Sequence, residues 1–458
     1  MPRRGCSLIA LVGLILSACG TASVPGSVAE PDLATARRVT WINTAQELAG
    51  TPATSRATKA AIYGFGDSGY GGATSVASGD LVLSAVSTDR AVTVVGQSAK
   101  TGDIRWRRHL PVKTRGKGYA ECDDDNGGPF FACKVVNGTK QATLWMMSDR
   151  TGAVRTKIPV KPDVSFGMSG DDLYLATFRP VHKDTRLDVS VERRSWTGGS
   201  TQWRRKTSFS IEGWGHDGSS GFLIGADRVV AFSASWEVIL DRETGRLLER
   251  SDSGRYEYEL KGGGRVVVDS GDGTSDSVQV TIFAADGRPI ADATETTYPE
   301  PYEVEPDRVV TGRHIISAGT GRVVFVSPRR TKIIAVADSG RVAITEPEEI
   351  EFAQNEIPLT AYDVATGKRT GAFALKGNWS GDAVTGGAGV AKVVQHYDDK
   401  SDKTLPPTIH VIDVRKPGEV AVIRLGKKRG EYDTPTLVRT RYGVAVTGAG
   451  AVRGLVAR

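Results

Sequence analysis

Thiols are the most reactive side chains in this sequence, and there are four: Cys6, Cys19, Cys122 and Cys133. A cysteine pair becomes redox-active when neighbouring positive charge stabilises the thiolate. Between Cys122 and Cys133 runs Asp123-Asp124-Asp125-Asn126-Gly127-Gly128-Pro129, turn-forming residues headed by carboxylates. Carboxylates oppose thiolate formation, so this pair reads as a structural crosslink. Metal ligation needs clustered donors at short spacing. The histidines are His109, His182, His216, His314, His396 and His410; none stand as His-x-x-x-His, and Cys-x-x-Cys is absent from the sequence. Asp123–Gly127 and Asp269-Ser270-Gly271-Asp272-Gly273 lack the ligand order and later glutamate of a calcium loop, and read as hairpin turns. Gly64-Phe65-Gly66-Asp67-Ser68-Gly69 has the spacing of a dinucleotide fingerprint. Tyr70-Gly71-Gly72-Ala73-Thr74 follows it, however, where a helix would have to begin. The sequence contains no Gly-x-Ser-x-Gly nucleophile elbow. These spacings give no catalytic residue, no metal and no cofactor.

The amino-terminal residues fix where such chemistry would operate. Arg3 and Arg4 precede an apolar stretch from Leu8 to Leu16, followed by Ser17, Ala18 and Cys19. This is the basic, apolar and small-residue order of a secretory signal, and the apolar stretch is too short for a permanent span. Leu16-Ser17-Ala18-Cys19 resembles the lipobox of bacterial lipoproteins. The resemblance implies a signal peptide over residues 1–18 and a diacylglyceryl group on Cys19. It also implies a protein held by lipid on the outer face of the cell membrane, since two acyl chains anchor stably. Residues 19–36, rich in Ala, Ser, Thr, Pro and Gly, then read as anchor and flexible tether, and 37–458 as the folded body. Cys6 leaves with the signal. Cys122 and Cys133 remain as an even pair in an oxidising compartment, and a disulfide between them is expected.

Lys and Arg number 59 against 53 Asp and Glu, a formal charge of +6. Acidic runs such as Asp123–Asp125 and Glu346–Glu351 are interspersed with the basic residues. Arg204-Arg205-Lys206 and Lys427-Lys428-Arg429 are short and read as solvated turns or strand edges. A nucleic-acid stripe is absent from this pattern, and no nucleic-acid partner is expected.

Helical periodicity is nearly absent. Short runs of Val, Ile, Thr and aromatic residues alternate with Gly, Asp and Asn turns, the pattern of an all-β chain. One unit recurs: a strand, a polar turn ending in glycine, and another strand. Copies stand at Ser98–Gly102, Asp149–Gly152, Trp196–Gly198, Asp241–Gly245, Ala285–Gly287, Asp363–Gly367 and Asp413–Gly418. The glycines at 102, 152, 198, 245, 287, 367 and 418 are separated by 50, 46, 47, 42, 80 and 51 residues. A period of 40–50 residues in an all-β chain indicates propeller blades. Thr320-Gly321 lies in the long gap and reads as a degenerate turn or one internal to a blade. Tyr442–Thr447 and Val452–Ala457 are strands with no partner after them, whereas Arg38–Ile42 looks like the strand that follows a turn. Pairing the two ends would complete the last blade and leave no open edge. The expectation is a single propeller of about eight four-stranded blades, with seven as the alternative.

Asp-x-x-Thr-Gly-x-x-x-Trp, clearest over Lys100–Trp106, is similar to the repeat of quinoprotein-like propellers, across roughly residues 38–458. That family includes dehydrogenases that bind pyrroloquinoline quinone and non-enzymatic envelope lipoproteins. Its tryptophan packs between neighbouring blades; here it stands at Trp106 and Trp203, and Trp41 is placed alike. The quinone enzymes carry a vicinal disulfide over the cofactor, and this sequence has no adjacent cysteines. The resemblance therefore implies a non-catalytic binding or scaffolding module, monomeric, with a protein or cell-wall partner on a propeller face. The alternative is an extracytoplasmic glycan hydrolase or lyase, or a degenerate quinoprotein oxidoreductase. Such an enzyme would gather distant residues at the axial mouth.

Overall fold

Nine antiparallel sheets follow one another along the chain. The computed structural model describes residues 31–457 apart from 51–60, 64–74, 88–90, 113–117, 125–127, 138–139, 182–185, 211–219, 226, 234–235, 252–254, 261–263, 270–277, 285–286, 296–301, 305–307, 319, 349–355, 378, 399–402, 417, 426–434 and 449. We number the sheets as blades. Blade 1 spans residues 61–111, blade 2 118–160, blade 3 165–210, blade 4 220–251, and blade 5 255–295. Blade 6 spans 302–326, blade 7 331–376 and blade 8 379–424. Blade 9 combines 436–456 with the strand Trp41–Thr44. Seven of the nine are simple four-stranded meanders. Blade 1 has a fifth strand, Ser75–Ser78 and Ala61–Tyr63 both pairing with Leu81–Ser87. Among the described residues no helix is long and apolar enough to cross a membrane.

Burial explains the strand sequences. Leu81–Ser87 and Ala91–Ser98 are buried along nearly their whole length, because a middle strand has a blade packed on each side. The outer strands Ile104–Pro111 and Val154–Val160 alternate residue by residue, since their edge faces solvent. Sheet-to-sheet packing produces clusters shared by neighbouring blades. One joins Trp41, Val82, Val86, Val95, Ala445 and Val452 from blades 1 and 9 with Leu48 of the short helix Ala45–Ala49.

In blades 1, 2, 3, 4, 6 and 7 the turn before the outer strand repeats, the glycine amide donating to the carbonyl four residues earlier. In blade 4 the Asp241 carboxylate accepts from the Thr244 amide (2.8 Å) and hydroxyl (2.7 Å), while the Gly245 amide donates to the Asp241 carbonyl (2.9 Å). Gly245 has φ +66°, a conformation that a Cβ disfavours. Asp363, Thr366 and Gly367 repeat the pattern in blade 7.

Blade 6 corrects the expected count. The 80-residue gap holds two blades, and nine stand where eight were expected. Thr320-Gly321 is a complete turn: the Gly321 amide donates to the Ser317 carbonyl (2.8 Å), and Ser317 Oγ accepts from the Thr320 amide (3.3 Å). Serine heads the turn, as Ser98 does in blade 1, and the strands Tyr302–Val304, Arg308–Thr311, His314–Ser317 and Val323–Val326 are only three or four residues long. The short strands weaken the repeat signal without changing the hydrogen bonding of the turn. In blade 3 the turn glycine is Gly199, one residue later than expected: its amide donates to the Ser195 carbonyl at φ +70°.

The amino-terminal strand Trp41–Thr44 pairs antiparallel with Ala451–Val456, Trp41 opposite Gly454. Asp32–Ala36, which composition assigns to the tether, is packed against blade 8. Leu33 is 1% exposed, and Asp32 Oδ1 accepts from the Ala388 amide (3.2 Å). Gly386, Gly387 and Gly389 make room, since a side chain on any of them would run into Pro31–Ala34.

Candidate functional site

Blade 3 has the longest regular strands of its neighbourhood. Asp172–Val181, Arg186–Ser195 and Thr201–Ser210 are ten residues each, against seven or eight in blade 2. Near the turns Leu173, Met168, Phe166 and Trp196 pack on Ala132, Leu144 and Met146 of blade 2. Farther along, the same face of blade 3 changes from apolar to polar. There it leaves a cleft of about 1060 Å³ lined by Lys161, Asp163, Thr177, Arg179, Arg186, Asp188, Ser190, Lys206 and Ser208, with Val189 and Thr207. The lining comes from blade 3 and the connection from blade 2, so the surplus strand length is what opens it. The register places Thr177 opposite Ser190, Arg179 opposite Asp188, Ser190 opposite Lys206 and Asp188 opposite Ser208.

Four cations face two carboxylates here. Arg186 Nε donates to Asp188 (3.0 Å). The connection is fixed from below by Lys134, whose ammonium donates to the carbonyls of Pro162 (3.2 Å) and Val164 (2.8 Å) and pairs with Glu121 (2.6 Å). A partly open cleft with cations, carboxylates and hydroxyls on a rigid sheet can hold an extended charged ligand. General acid–base chemistry would require a carboxylate or imidazole with a strongly shifted proton affinity. The Asp188 carboxylate is engaged by Arg186 through both of its oxygens.

The buried charges elsewhere brace strands within a blade or tie neighbouring blades together. Asp172 accepts from Arg193 (2.7 Å), and Arg193 also donates to the Arg242 carbonyl (2.7 Å) in the turn of blade 4. Arg242 returns hydrogen bonds to Tyr174 Oη (3.1 Å), Ser169 Oγ (3.1 Å) and the Gly225 carbonyl (2.7 Å). Burial raises the Tyr174 pKa against the opposing pull of Arg242. Glu192 accepts from Arg194, Arg204 and Thr201. Burial pushes its pKa up, but the arginine hydrogen bonds prevail and hold it below the usual glutamate value. Glu346 pairs with Lys392 (3.1 Å) and Lys332 (3.4 Å). Glu295 accepts from His314 Nδ1 (2.6 Å), Thr311 (3.2 Å) and the Arg313 amide (3.0 Å), tying blade 5 to blade 6. The histidine–carboxylate pair is the nearest approach to a catalytic dyad, but its carboxylate is saturated by structural donors.

The residues singled out from sequence are dispersed. Cys19, Gly64–Gly69, His182, His216 and Lys427–Arg429 lie outside the described residues. Cys122 and Cys133 form a disulfide across directly opposed positions of blade 2, Cα–Cα 4.1 Å. His109 meets Thr93 (2.9 Å) and His410 meets Thr408 (2.9 Å), each within its own blade. Among the described residues no three His, Cys, Asp or Glu are grouped for a metal ion. Glu346, the first residue of the acidic run Glu346–Glu351, is a buried strand residue. Arg204-Arg205-Lys206 lies in an outer strand, where Arg204 clamps Glu192 and Lys206 lines the cleft. The cleft itself was missed; its one sequence signal is an unusually long polar strand carrying both Lys206 and Ser208.

No protein-family model and no curated protein matches the chain. Among solved structures it is similar to BamB from Moraxella catarrhalis, 16% identical, TM-score 0.43, over 86% of this chain and 99% of that one. It is also similar to the computationally designed Ika8 protein, 12% identical, TM-score 0.41, over 80% and 98%. A third is the dihydro-heme d1 dehydrogenase NirN, 11% identical, TM-score 0.39, over 67% and 66%. The chain is an all-β propeller of nine blades.

Proposed function

We propose that this chain is an extracytoplasmic lipoprotein whose monomeric propeller works by binding, with the cleft between blades 2 and 3 receiving an acidic protein segment. The observation that carries the reading is the lining of that cleft, in which Lys161, Arg179, Arg186 and Lys206 outnumber Asp163 and Asp188. Interspersed carboxylates and hydroxyls suit a peptide of mixed polarity better than a uniform polyanion. Complementary charge of this kind governs association rate and specificity. Pairing of Trp41–Thr44 with Ala451–Val456 serves, on this reading, as the closure that keeps the binding face rigid. Attachment through Cys19 rests on Leu16-Ser17-Ala18-Cys19 and the apolar stretch ahead of it.

Fluorescence anisotropy with a labelled peptide of alternating Glu and Ser tests the cleft. Binding should weaken with salt and fall about tenfold or more in an Arg179→Ala/Lys206→Ala variant. Preference for poly(glycerol phosphate) over the peptide would replace the protein partner by a cell-wall polymer. Binding to neither, or binding indifferent to the double substitution, would overturn the reading. Metabolic labelling with a fatty-acid analogue tests the anchor: label retained by Cys19→Ala would refute it.

A further inference from the structure

Three blade junctions are closed the same way. The Trp41 indole lies against the turn of blade 1 and donates to the Ala99 carbonyl (3.2 Å). Trp106 does so at blade 2, donating to Asp149 (2.8 Å), and Trp203 at blade 4, donating to Arg242 (2.9 Å). In each case the accepting carbonyl lies three residues before the turn glycine. A Cβ on Gly102 would come within 2.7 Å of the Trp41 ring, and one on Gly245 within 2.6 Å of Trp203. The glycine is thus one wall of an indole socket.

The junction between blades 6 and 7 has the socket without the indole. Phe325 occupies the position of Trp106 and Trp203: each stands just past the bulge that follows its turn. Trp106 lies over Gly96, which leaves room for the ring to reach the next blade; Phe325 lies opposite Ile315. Its smaller ring meets Tyr362 of blade 7 (centroids 5.7 Å) and joins a buried cluster with Ile333, Val336, Ala343 and Val364, without covering Gly367. Nothing stands within 4 Å of a Cβ built on Gly367. A cavity of about 400 Å³ results, bounded by Val324, Phe325, Val326, Tyr362, Val364 and Gly367. The Val364 carbonyl holds the place of the indole acceptors at Ala99, Asp149 and Arg242. Pro328, Ala365 and Thr366 complete the lining, and Val326 is 46% exposed at its edge, with Val323 of the same strand 42% exposed.

We propose that this cavity is a docking socket for an aromatic side chain, foremost a tryptophan, presented by an extended segment of a partner protein. The occupant is identified by the chain's own three examples: same turn, same strand register, same acceptor position. Its volume lies in the range of small-ligand pockets, and an aromatic anchor in such a pocket is the usual centre of a protein interface. The strand Val323–Val326 supplies apolar contacts beside the anchor. This site stands apart from the cleft of blades 2 and 3, and either can fail without the other.

The test uses the mature protein with valine methyls isotopically labelled, titrated with the peptide acetyl-Thr-Val-Trp-Val-Thr-amide and its Trp→Ala counterpart. The tryptophan peptide should shift the methyls of Val324, Val326 and Val364 in a saturable way, and the alanine peptide should not. Phe325→Trp should supply the ring from within the chain, keep the protein folded and weaken the peptide about tenfold or more. Val326→Lys, at the exposed rim, should weaken it as well. Absence of saturable shifts at these methyls, or equal binding by both variants, would overturn the proposal. Equal affinity for the alanine peptide would do the same.

Discussion

Blades 1 and 6 share a turn and differ in what seals it. In blade 1 the turn Ser98–Gly102 is covered by Trp41, the three strands from Leu81 to Pro111 run seven or eight residues, and its own Trp106 reaches forward to blade 2. In blade 6 the turn glycine Gly321 is met by the backbone of Ile290 from blade 5, the strands are three or four residues long, and Phe325 packs on blade 7 without covering the turn glycine Gly367. Identical turn hydrogen bonding therefore does not imply identical inter-blade packing. The turn positions the outer strand, and the residue just past the bulge decides whether the junction is filled.

Deleting residues should separate these contributions most forcibly. Removal through Glu30 leaves every described contact of blade 9 intact and should leave the melting temperature nearly unchanged. Removal through Thr44 strips Leu33 and Trp41 from their clusters and bares the edge of Ala451–Val456. Aggregation or a fall of about 10 °C or more is expected by scanning calorimetry. Next in size, Trp106→Ala empties a filled junction and should cost about 3–5 kcal/mol in urea unfolding. Phe325→Ala should cost less, because its junction is already partly empty. Equal losses would mean that the two junctions are packed alike. Removing the disulfide with Cys122→Ala/Cys133→Ala should cost about 2–3 kcal/mol, a loss confined to the blade 1–2 region in hydrogen exchange. Smallest is a pH effect. The Thr244 hydroxyl and amide hold the exposed Asp241 carboxyl below its ordinary value of 3.8, and Thr366 does the same for Asp363. A depressed folded-state pKa stabilises above the unfolded value, and that contribution disappears as pH falls below about 4 through the folded value. Thr244→Val should raise the Asp241 pKa in a carboxyl NMR titration. Blade 6, with Ser317 at this position, contributes no such titration from its turn.

Much of the architecture was legible because glycine with a positive φ and tryptophan in a socket are both demanding requirements. Gly102, Gly152, Gly245 and Gly367 mark real turns, and Trp106, Trp203 and Trp41 mark real junctions. Blade 6 was obscured because its strands are too short to display alternation. Leu33 was hidden in a segment whose composition is that of a tether, since burial of one leucine against three glycines of blade 8 depends on contacts more than 350 residues away. The cleft was hidden for a related reason: its cations lie on three separate strands and a connection, and meet only through register. Side-chain struts such as Glu346–Lys392 reversed the plain expectation that a glutamate-rich run is solvated, because one member of the run ends a strand and turns inward.

The strand Trp41–Thr44 also bears on how the molecule folds. Thr40 reaches the Gly454 carbonyl across 414 residues of sequence, among the longest-range contacts in the protein. Closing so large a loop has an entropic cost that must be met before the contact is rewarded. The pairing therefore belongs to the late stage of folding, after the intervening blades have brought the two ends together. Interactions absent from the transition state chiefly slow unfolding, so this short strand acts as a kinetic latch: the two ends of the folded body, where fraying usually starts, hold one another in a single sheet.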